Sequence, residues 1–368
     1  MRIAQIVSMY EAVPPRYYGN TERAVSYLTE ELVQRGHAVT LFASGDSRTS
    51  ARLAPTVDRG LRTRFTDQEM QEVAIPLHLA MLNEVFQHVK EFDIVHCHLD
   101  YLPFGWEPFI QPPMVTTLHS RLDPFFWQPV IEHFPKTALV SVSDQQRKPL
   151  ESLCPHWIDT VYNAVPVEEF LFSAARGDYL LFVGRIAPPK RVDWVIEIAK
   201  RTGMPLKIVA TVDPVDREYF EEQIEPLLDH PLIEYLGEVD EFTKRALMLG
   251  AYAVTFLIGW PESFDLVMIE ALACGTPVLA LNRGSVPEVL RDGVTGIIRE
   301  TVDELIAAVP LVATMDRFAC RREAEQRFSS RTMALGYEQV YQRVIADHKQ
   351  RLGTTSLRTS EMRMPISA

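Results

Sequence analysis

Two acids, Glu262 and Glu270, are separated by seven residues, most of them apolar. The short apolar run 253–257 reads as a buried strand that Pro261 stops. A helix is expected to open near Ser263 or Phe264, and Gly275 with Pro277 closes it. Residues 278–281 are the next strand. Glu262 then falls at the carboxyl end of a strand beside a helix N-terminus, and Glu270 lies two turns further on, near the same face. Ligands of open α/β sheets bind at that end of the strands, and a helix start offers N–H groups to an anion. A capping Glu262 and a solvated Glu270 are the plain alternative. However, the Ala-Leu-Ala-Cys-Gly that follows Glu270 reads as buried helix, where an unpaired carboxylate is costly. An acid that faces a cleft and holds hydroxyls fits better.

Cations and histidines stand at comparable places. Residues 179–183 read as a strand, 184–191 as its loop, and Val192, Val195, Ile196 and Ala199 mark a helix that Gly203 ends. Arg185 and Lys190 flank that turn, and charge-assisted bonds from such a pair suit a diphosphate; two exposed loop cations facing water are the alternative. His119 ends the strand 114–118 and faces a cleft by position alone, with a satisfied core histidine as the other reading. His96 and His98 alternate on one face of a strand end. A metal site would need further ligands and a supporting shell, and none stands at useful spacing, so these two line the cleft or pack.

Glu262 and Glu270, with Gly275-Thr276-Pro277-Val278 after them and Gly284-Ser285-Val286-Pro287-Glu288-Val289 further on, resemble the signature of the family 4 retaining glycosyltransferases. The resemblance extends over nearly the whole chain. It implies a GT-B fold, two Rossmann-like doubly wound domains facing each other across a cleft. It further implies transfer of a hexosyl group from a nucleotide-diphosphate sugar to a saccharide or small-molecule acceptor, with no other cofactor. By the same resemblance Arg185 and Lys190 clamp the diphosphate, and His119 lies against the donor sugar. Glu262, Ser263, Phe264, Asp265 and Leu266 cradle that sugar, and Glu270 holds the ribose. Gly237 and Val239 are weaker candidates for the base. His119, Glu262, Arg185 and Lys190 carry catalysis in this reading.

Three positions depart from the family pattern. Gly19-Asn20 stands where a Gly-Gly pair is usual; Asn tolerates left-handed backbone and caps helices, so the turn can still approach phosphate, and an N-cap with no ligand fits as well. Arg191 replaces a Gly after Lys190, adding a cation or facing water. Asp265 replaces a Gly; it points away, reads a sugar hydroxyl, or weakens activity. The sequence contains no Asp-x-Asp to hold a metal on the diphosphate, so the cations are expected to supply that charge. A sugar-nucleotide binder with little turnover is the rival reading, and a related epimerase or phosphorylase is a third.

The elements that position these residues alternate as strand and helix over 368 residues, with 47% hydrophobic and 23% charged content, an α/β globule by pattern. A net charge of −12 disfavours nucleic acid. Cys97, Cys154, Cys274 and Cys320 have no disulfide or metal spacing and read as reduced thiols of a cytoplasmic protein; no apolar run approaches a membrane span. Domain boundaries are expected at 1–170 (acceptor side) and 171–327 (donor side), with 159–176 as the linker. A helix over 328–348 crosses back, and 349–368 is a mobile tail. The five arginines of 48–64 read as a solvated loop, with an acceptor or anionic contact as the minority reading.

Overall fold

The computed structural model describes residues 1–16, 19–153 and 155–361, with side chains as far as Arg351. Cys154 and the chain end 362–368 lie outside the described residues. The first sheet holds β1 (Arg2–Ile6), β2 (Ala38–Ala43), β3 (Arg52–Pro55), β4 (Ile94–Cys97), β5 (Met114–Leu118), β6 (Leu139–Ser141) and β7 (Trp157–Thr160), in the order β3-β2-β1-β4-β5-β6-β7. The second holds β8 (Leu180–Arg185), β9 (Leu206–Thr211), β10 (Ile233–Gly237), β11 (Ala253–Phe256), β12 (Val278–Leu281) and β13 (Gly296–Arg299), in the order β10-β9-β8-β11-β12-β13. Neighbouring strands pair in parallel throughout.

Parallel strands are covered on both faces by their crossover helices and so become apolar along their length. Ile3, Ala4 and Ile6 of β1, Ile94 and Val95 of β4, and Ala253 and Val254 of β11 are fully buried. Strand order reverses between β1 and β4 in one sheet and between β8 and β11 in the other. At such a switch point the flanking crossovers diverge and leave a crevice beyond the carboxyl ends. The loops after β1, β4, β8 and β11 therefore carry the residues that meet between the sheets. This is the two-sheet α/β architecture expected for a GT-B fold.

Three short strands escape the sequence reading. The arginine-rich segment 48–64 contains edge strand β3, whose exposed Arg52 and Pro55 suit an open sheet edge; β7 occupies 157–160 in part of the expected linker, and β13 follows the turn at 292–296. The final helix, Ser330–Glu361, also runs past 348, so 349–361 is helical rather than a tail. Its Met333, Tyr337, Tyr341 and Val344 share a core with Ile3, Leu28, Val39 and Val140 of the first sheet and its helices.

Glu338 fastens that helix to the first domain. Its Oε1 lies 2.8 Å from Arg35 Nε and 2.8 Å from His37 Nε2, and its Oε2 accepts from Arg35 Nη2 at 2.9 Å. The Arg35 hydrogen bonds, with His37 behind them, hold the Glu338 carboxyl down at about 2, from an ordinary 4.5. A depressed carboxyl contributes stability that is present above the unfolded value and is lost as pH falls through the folded one. Glu338→Gln is accordingly expected to lower the urea midpoint by a constant amount above pH 4.5, with the gap closing as pH falls toward 2. A gap that does not change over that window would remove the ion pair as its cause.

Candidate active site

The helix that carries Glu270 spans Leu266–Ala273 and begins after Asp265, not at Ser263 or Phe264. Asp265 is its N-cap: φ is −133°, and Oδ1 accepts from Val267 N at 3.1 Å. An Asp cap explains how a carboxylate stands where a Gly was expected, since extended backbone suits any residue. Gly275 ends the helix in the left-handed region at φ 80°, where a Cβ would come within 2.6 Å of Phe172. Glu270 itself is 1% exposed. Its Oε1 accepts from Lys244 Nζ at 2.9 Å; its Oε2 lies at the same distance from that ammonium yet accepts no hydrogen bond among the described residues.

Lys244 comes from the helix Glu241–Gly250 and was not anticipated from sequence. Its Nζ also lies 3.0 Å from Glu241, which pairs with Arg23 of the first domain at 3.2 Å and with Arg245 at 3.0 Å. Burial pulls the Lys244 ammonium down, but Glu270 and Glu241 outweigh it and hold the group above its ordinary range. One charge chain thus runs from the first domain to the buried acid of the second.

The other acid, Glu262, sits in the loop after β11. Lys190 Nζ bonds its Oε2 at 3.1 Å and Asp265 Oδ2 at 2.8 Å, and Trp260 Nε1 donates to Glu262 Oε2 at 3.1 Å. Gly284 sets the loop: at φ 52° its Cβ would fall 2.3 Å from Glu262 O, and Ser285 N bonds that carbonyl at 3.1 Å. The neighbouring Glu288 reaches across the domains, accepting from Asp144 N at 2.8 Å and Gln145 N at 2.6 Å. These contacts give the Gly284–Glu288 segment its structural purpose.

Arg185 ends β8 and is held by Asp213 at 2.7 Å and Asp216 at 3.3 Å, two acids absent from the sequence reading. Arg191 adopts the left-handed conformation at φ 51° that Gly would take freely. Its guanidinium pairs with Asp193 and lies 3.7 Å from the Trp194 ring centroid, which fixes the side chain in place. Gly19 is the N-cap of the helix Asn20–Gln34, so Asn20 is the first helical residue rather than the cap. Phe264 and Leu266 are buried in the core, which leaves only their backbone to offer a ligand.

Gly19, Asn20, Lys190, Val239, Asp265 and Glu270 line one cavity of about 80 Å³ between the domains. Gly237, at φ 67°, turns the chain so that Glu238 and Val239 enter it. A second cavity of about 460 Å³ shares Gly19 and Asn20 and is lined by Glu11, Glu22, Arg62, Asp100 and His119 of the first domain. His119 accordingly stands in the adjoining cavity, and Arg185 lines neither. His98 belongs to the cleft lining, whereas His96 is fully buried. Among the described residues no group of three or more His, Cys, Asp or Glu is placed to hold a metal.

Two family models match consecutive stretches of the chain. "Glycosyltransferase Family 4" takes residues 21–169 and "Glycosyl transferases group 1" takes residues 169–329. The chain belongs to the family 4, group 1 glycosyltransferases. A phosphatidyl-myo-inositol mannosyltransferase of Mycobacterium leprae is 29% identical to this glycosyltransferase over 69% of the chain and 74% of that protein. A D-inositol 3-phosphate glycosyltransferase of Mycobacterium sp. (strain KMS) is 30% identical over 56% of this chain and 52% of its own. Among solved structures, sucrose-phosphate synthase of Thermosynechococcus elongatus superposes with a TM-score of 0.75 at 18% identity, covering 94% of this chain and 99% of that one. The HepE protein of Anabaena in complex with UDP-glucose gives 0.68 at 18% identity, covering 94% and 100%. At such identities these structures establish the GT-B fold.

Proposed function

We propose that this glycosyltransferase moves a hexosyl group from a nucleotide-diphosphate sugar to an uncharged hydroxylated acceptor, with retention of configuration and without a metal. The observation that carries the reading is the meeting of Lys190, Glu270 and the Gly19–Asn20 turn at one interdomain cavity, with His119 in the adjoining one. Glu270 Oε2, buried and lacking a hydrogen-bond donor of good geometry, suits a ribose hydroxyl. Lys190, with Arg185 behind it, faces the charge that grows on a leaving diphosphate. His119 and Glu262 serve the sugar.

In the proposed step the bond from the anomeric carbon to the diphosphate oxygen breaks. The bond to the acceptor oxygen forms on the same face, and the acceptor proton passes to the leaving phosphate. Double displacement would need a paired carboxylate nucleophile, and Glu262 is already tied to Lys190 and Trp260. The named relatives act on inositol phosphates and their lipids. Here the acceptor-side cavity presents Glu11, Glu22 and Asp100 against Arg62, which is itself 3.6 Å from Glu11. That balance favours a neutral polyol over a phosphorylated one. A cytoplasmic site of action belongs to the same proposal; no described helix is long and apolar enough to cross a membrane.

A sugar-nucleotide panel read by nucleotide release, with proton NMR of the first-formed product, tests the proposal. A β-linked product from an α-donor would sink retention, and activity lost in EDTA and restored by manganese would sink metal independence. The rival binder reading draws on Asp265, whose carboxylate already occupies the helix start and Lys190; nucleotide binding with no release for any donor would favour it.

A further inference from the structure

A buried chain of polar side chains runs from His119 to the C-terminal helix. His119 Nε2 is 2.9 Å from His98 Nδ1, and His98 Nε2 is 2.8 Å from Gln5 Oε1. Gln5 Nε2 donates to Tyr341 Oη at 3.2 Å, and Tyr341 Oη is 2.8 Å from His96 Nδ1. His96 Nε2 then meets Thr117 Oγ1 at 2.8 Å, and Thr117 meets Tyr337 Oη at 3.0 Å. Gln5, His96, Tyr337 and Tyr341 are at most 1% exposed and His98 is 4% exposed, so no solvent can stand in for a missing partner.

With the Gln5 amide oriented so that Nε2 donates to Tyr341, the donor and acceptor inventory sets the direction of this chain. The Gln5 amide gives its N–H to Tyr341, so a carbonyl oxygen faces His98, and a carbonyl only accepts. His98 must therefore carry its proton on Nε2. Burial pushes His98 well below its usual range, so the ring is neutral and its Nδ1 is a bare acceptor. The nitrogen opposite, His119 Nε2, must supply the proton. Tyr341, having accepted from Gln5, gives its own proton to His96, and His96 Nε2–H gives to Thr117. Each of these contacts then has one donor and one acceptor. Burial likewise holds His119 down at about 4.

We infer that His98 is a positioning residue for His119, fixing it as a single Nε2–H tautomer whose bare Nδ1 faces the acceptor-side cavity. Nδ1 has no hydrogen-bond partner among the described residues, and the ring lines the cavity. It is thus set to accept from a substrate hydroxyl and not to donate to an anionic oxygen. The setting is held by Tyr341, which packs on the same face of the sheet as Gln5 and His96, so the crossing helix Ser330–Glu361 contributes to the site without touching substrate. The consequence for turnover rests on the proposed sugar-side role of His119; the tautomer does not.

Long-range proton–nitrogen NMR on the full chain labelled in its histidines reads the tautomer directly, with no substrate present. His119→Asn and His98→Asn identify the two signals by their loss. The expected pattern is Nε2–H for both rings, unchanged across neutral pH. A His119 proton on Nδ1, or fast exchange between tautomers, would overturn the inference. Tyr341→Phe removes one hydroxyl and keeps the ring. It is expected to release the Gln5 amide, bring the His119 signal toward a tautomer average, and lower kcat more than nucleotide affinity. An unchanged His119 pattern in Tyr341→Phe would remove the relay. If the tautomer is as stated but no donor turns over, the functional reading fails and this inference stands.

Discussion

Lys244→Met is expected to destabilise the protein by about 3–5 kcal/mol, because it strands a buried carboxylate. Glu270 is 1% exposed and both its oxygens lie 2.9 Å from the Lys244 ammonium. Glu241 would lose the same partner but keeps Arg23 at 3.2 Å and Arg245 at 3.0 Å, so the cost concentrates on Glu270. The double variant Lys244→Met with Glu270→Gln removes both charges and keeps the shape. It should recover most of the loss, because a neutral amide does not demand a counter-charge. Glu270→Gln alone leaves Lys244 paired to Glu241 and should cost less than Lys244→Met. Urea unfolding of the four proteins settles the matter: a double variant as unstable as Lys244→Met would show that packing, not charge, is what Lys244 contributes. Nucleotide binding separates the second role. If Glu270 holds ribose hydroxyls, Glu270→Gln weakens a nucleoside diphosphate while barely moving the unfolding midpoint.

The sheets were legible because parallel strands are apolar runs with turn signals at both ends. Residues 114–118 and 278–281 coincide with β5 and β12. Strands β3, β7 and β13 were not legible as such; each is partly exposed, whereas the equally short β11 and β12 are buried apolar runs. The helix Asp67–Gln87 opens on a Thr66–Glu69 capping box, a start signal readable in the sequence. At the site, the residues drawn from the family signature meet at the interdomain cleft or sit against residues that line it. What the sequence hid was their partners. Lys244, Asp213, Asp216 and His98 come from other strands and helices, and nothing local marks a lysine as the counter-ion of an acid on a neighbouring helix. Lys244 stands three residues after Glu241, so from sequence it reads as half of an ordinary surface pair; only the packing of two helices reveals the buried acid opposite. For the same reason Asp213 and Asp216, which pair with Arg185, could not be read beside it.

Asp265→Gly is expected to tighten nucleoside diphosphate binding by about 1–3 kcal/mol at low salt, on the scale of one charge-assisted contact. Three observations set the sign. Asp265 is 5% exposed and lines the same cavity as Lys190 and Glu270. Its Oδ2 lies 2.8 Å from the ammonium that the diphosphate is proposed to use. Its Oδ1 takes the Val267 N–H at the helix start, where a phosphate oxygen would otherwise bind. A diphosphate must therefore displace or sit beside a carboxylate, and Lys190 is shared with Glu262 at 3.1 Å as well. Removing the Asp265 charge returns both the ammonium and the helix N-terminus to the ligand. Stability should hardly change, since Gly replaces a capping side chain at a cost of only a few tenths of a kcal/mol. Asp265→Asn separates the two effects: it keeps the cap and loses the charge, so it should retain most of the affinity gain. Lys190→Ala should move affinity the other way, and in the double variant with Asp265→Gly the gain should largely disappear, because there is no ammonium left to release. The gain must also shrink as salt is raised, as a charge effect in a partly open cleft does. Calorimetric titration of the nucleoside diphosphate against these variants is the measurement. Weaker binding in Asp265→Gly would mean that Asp265 holds Lys190 in its working position instead of competing for it.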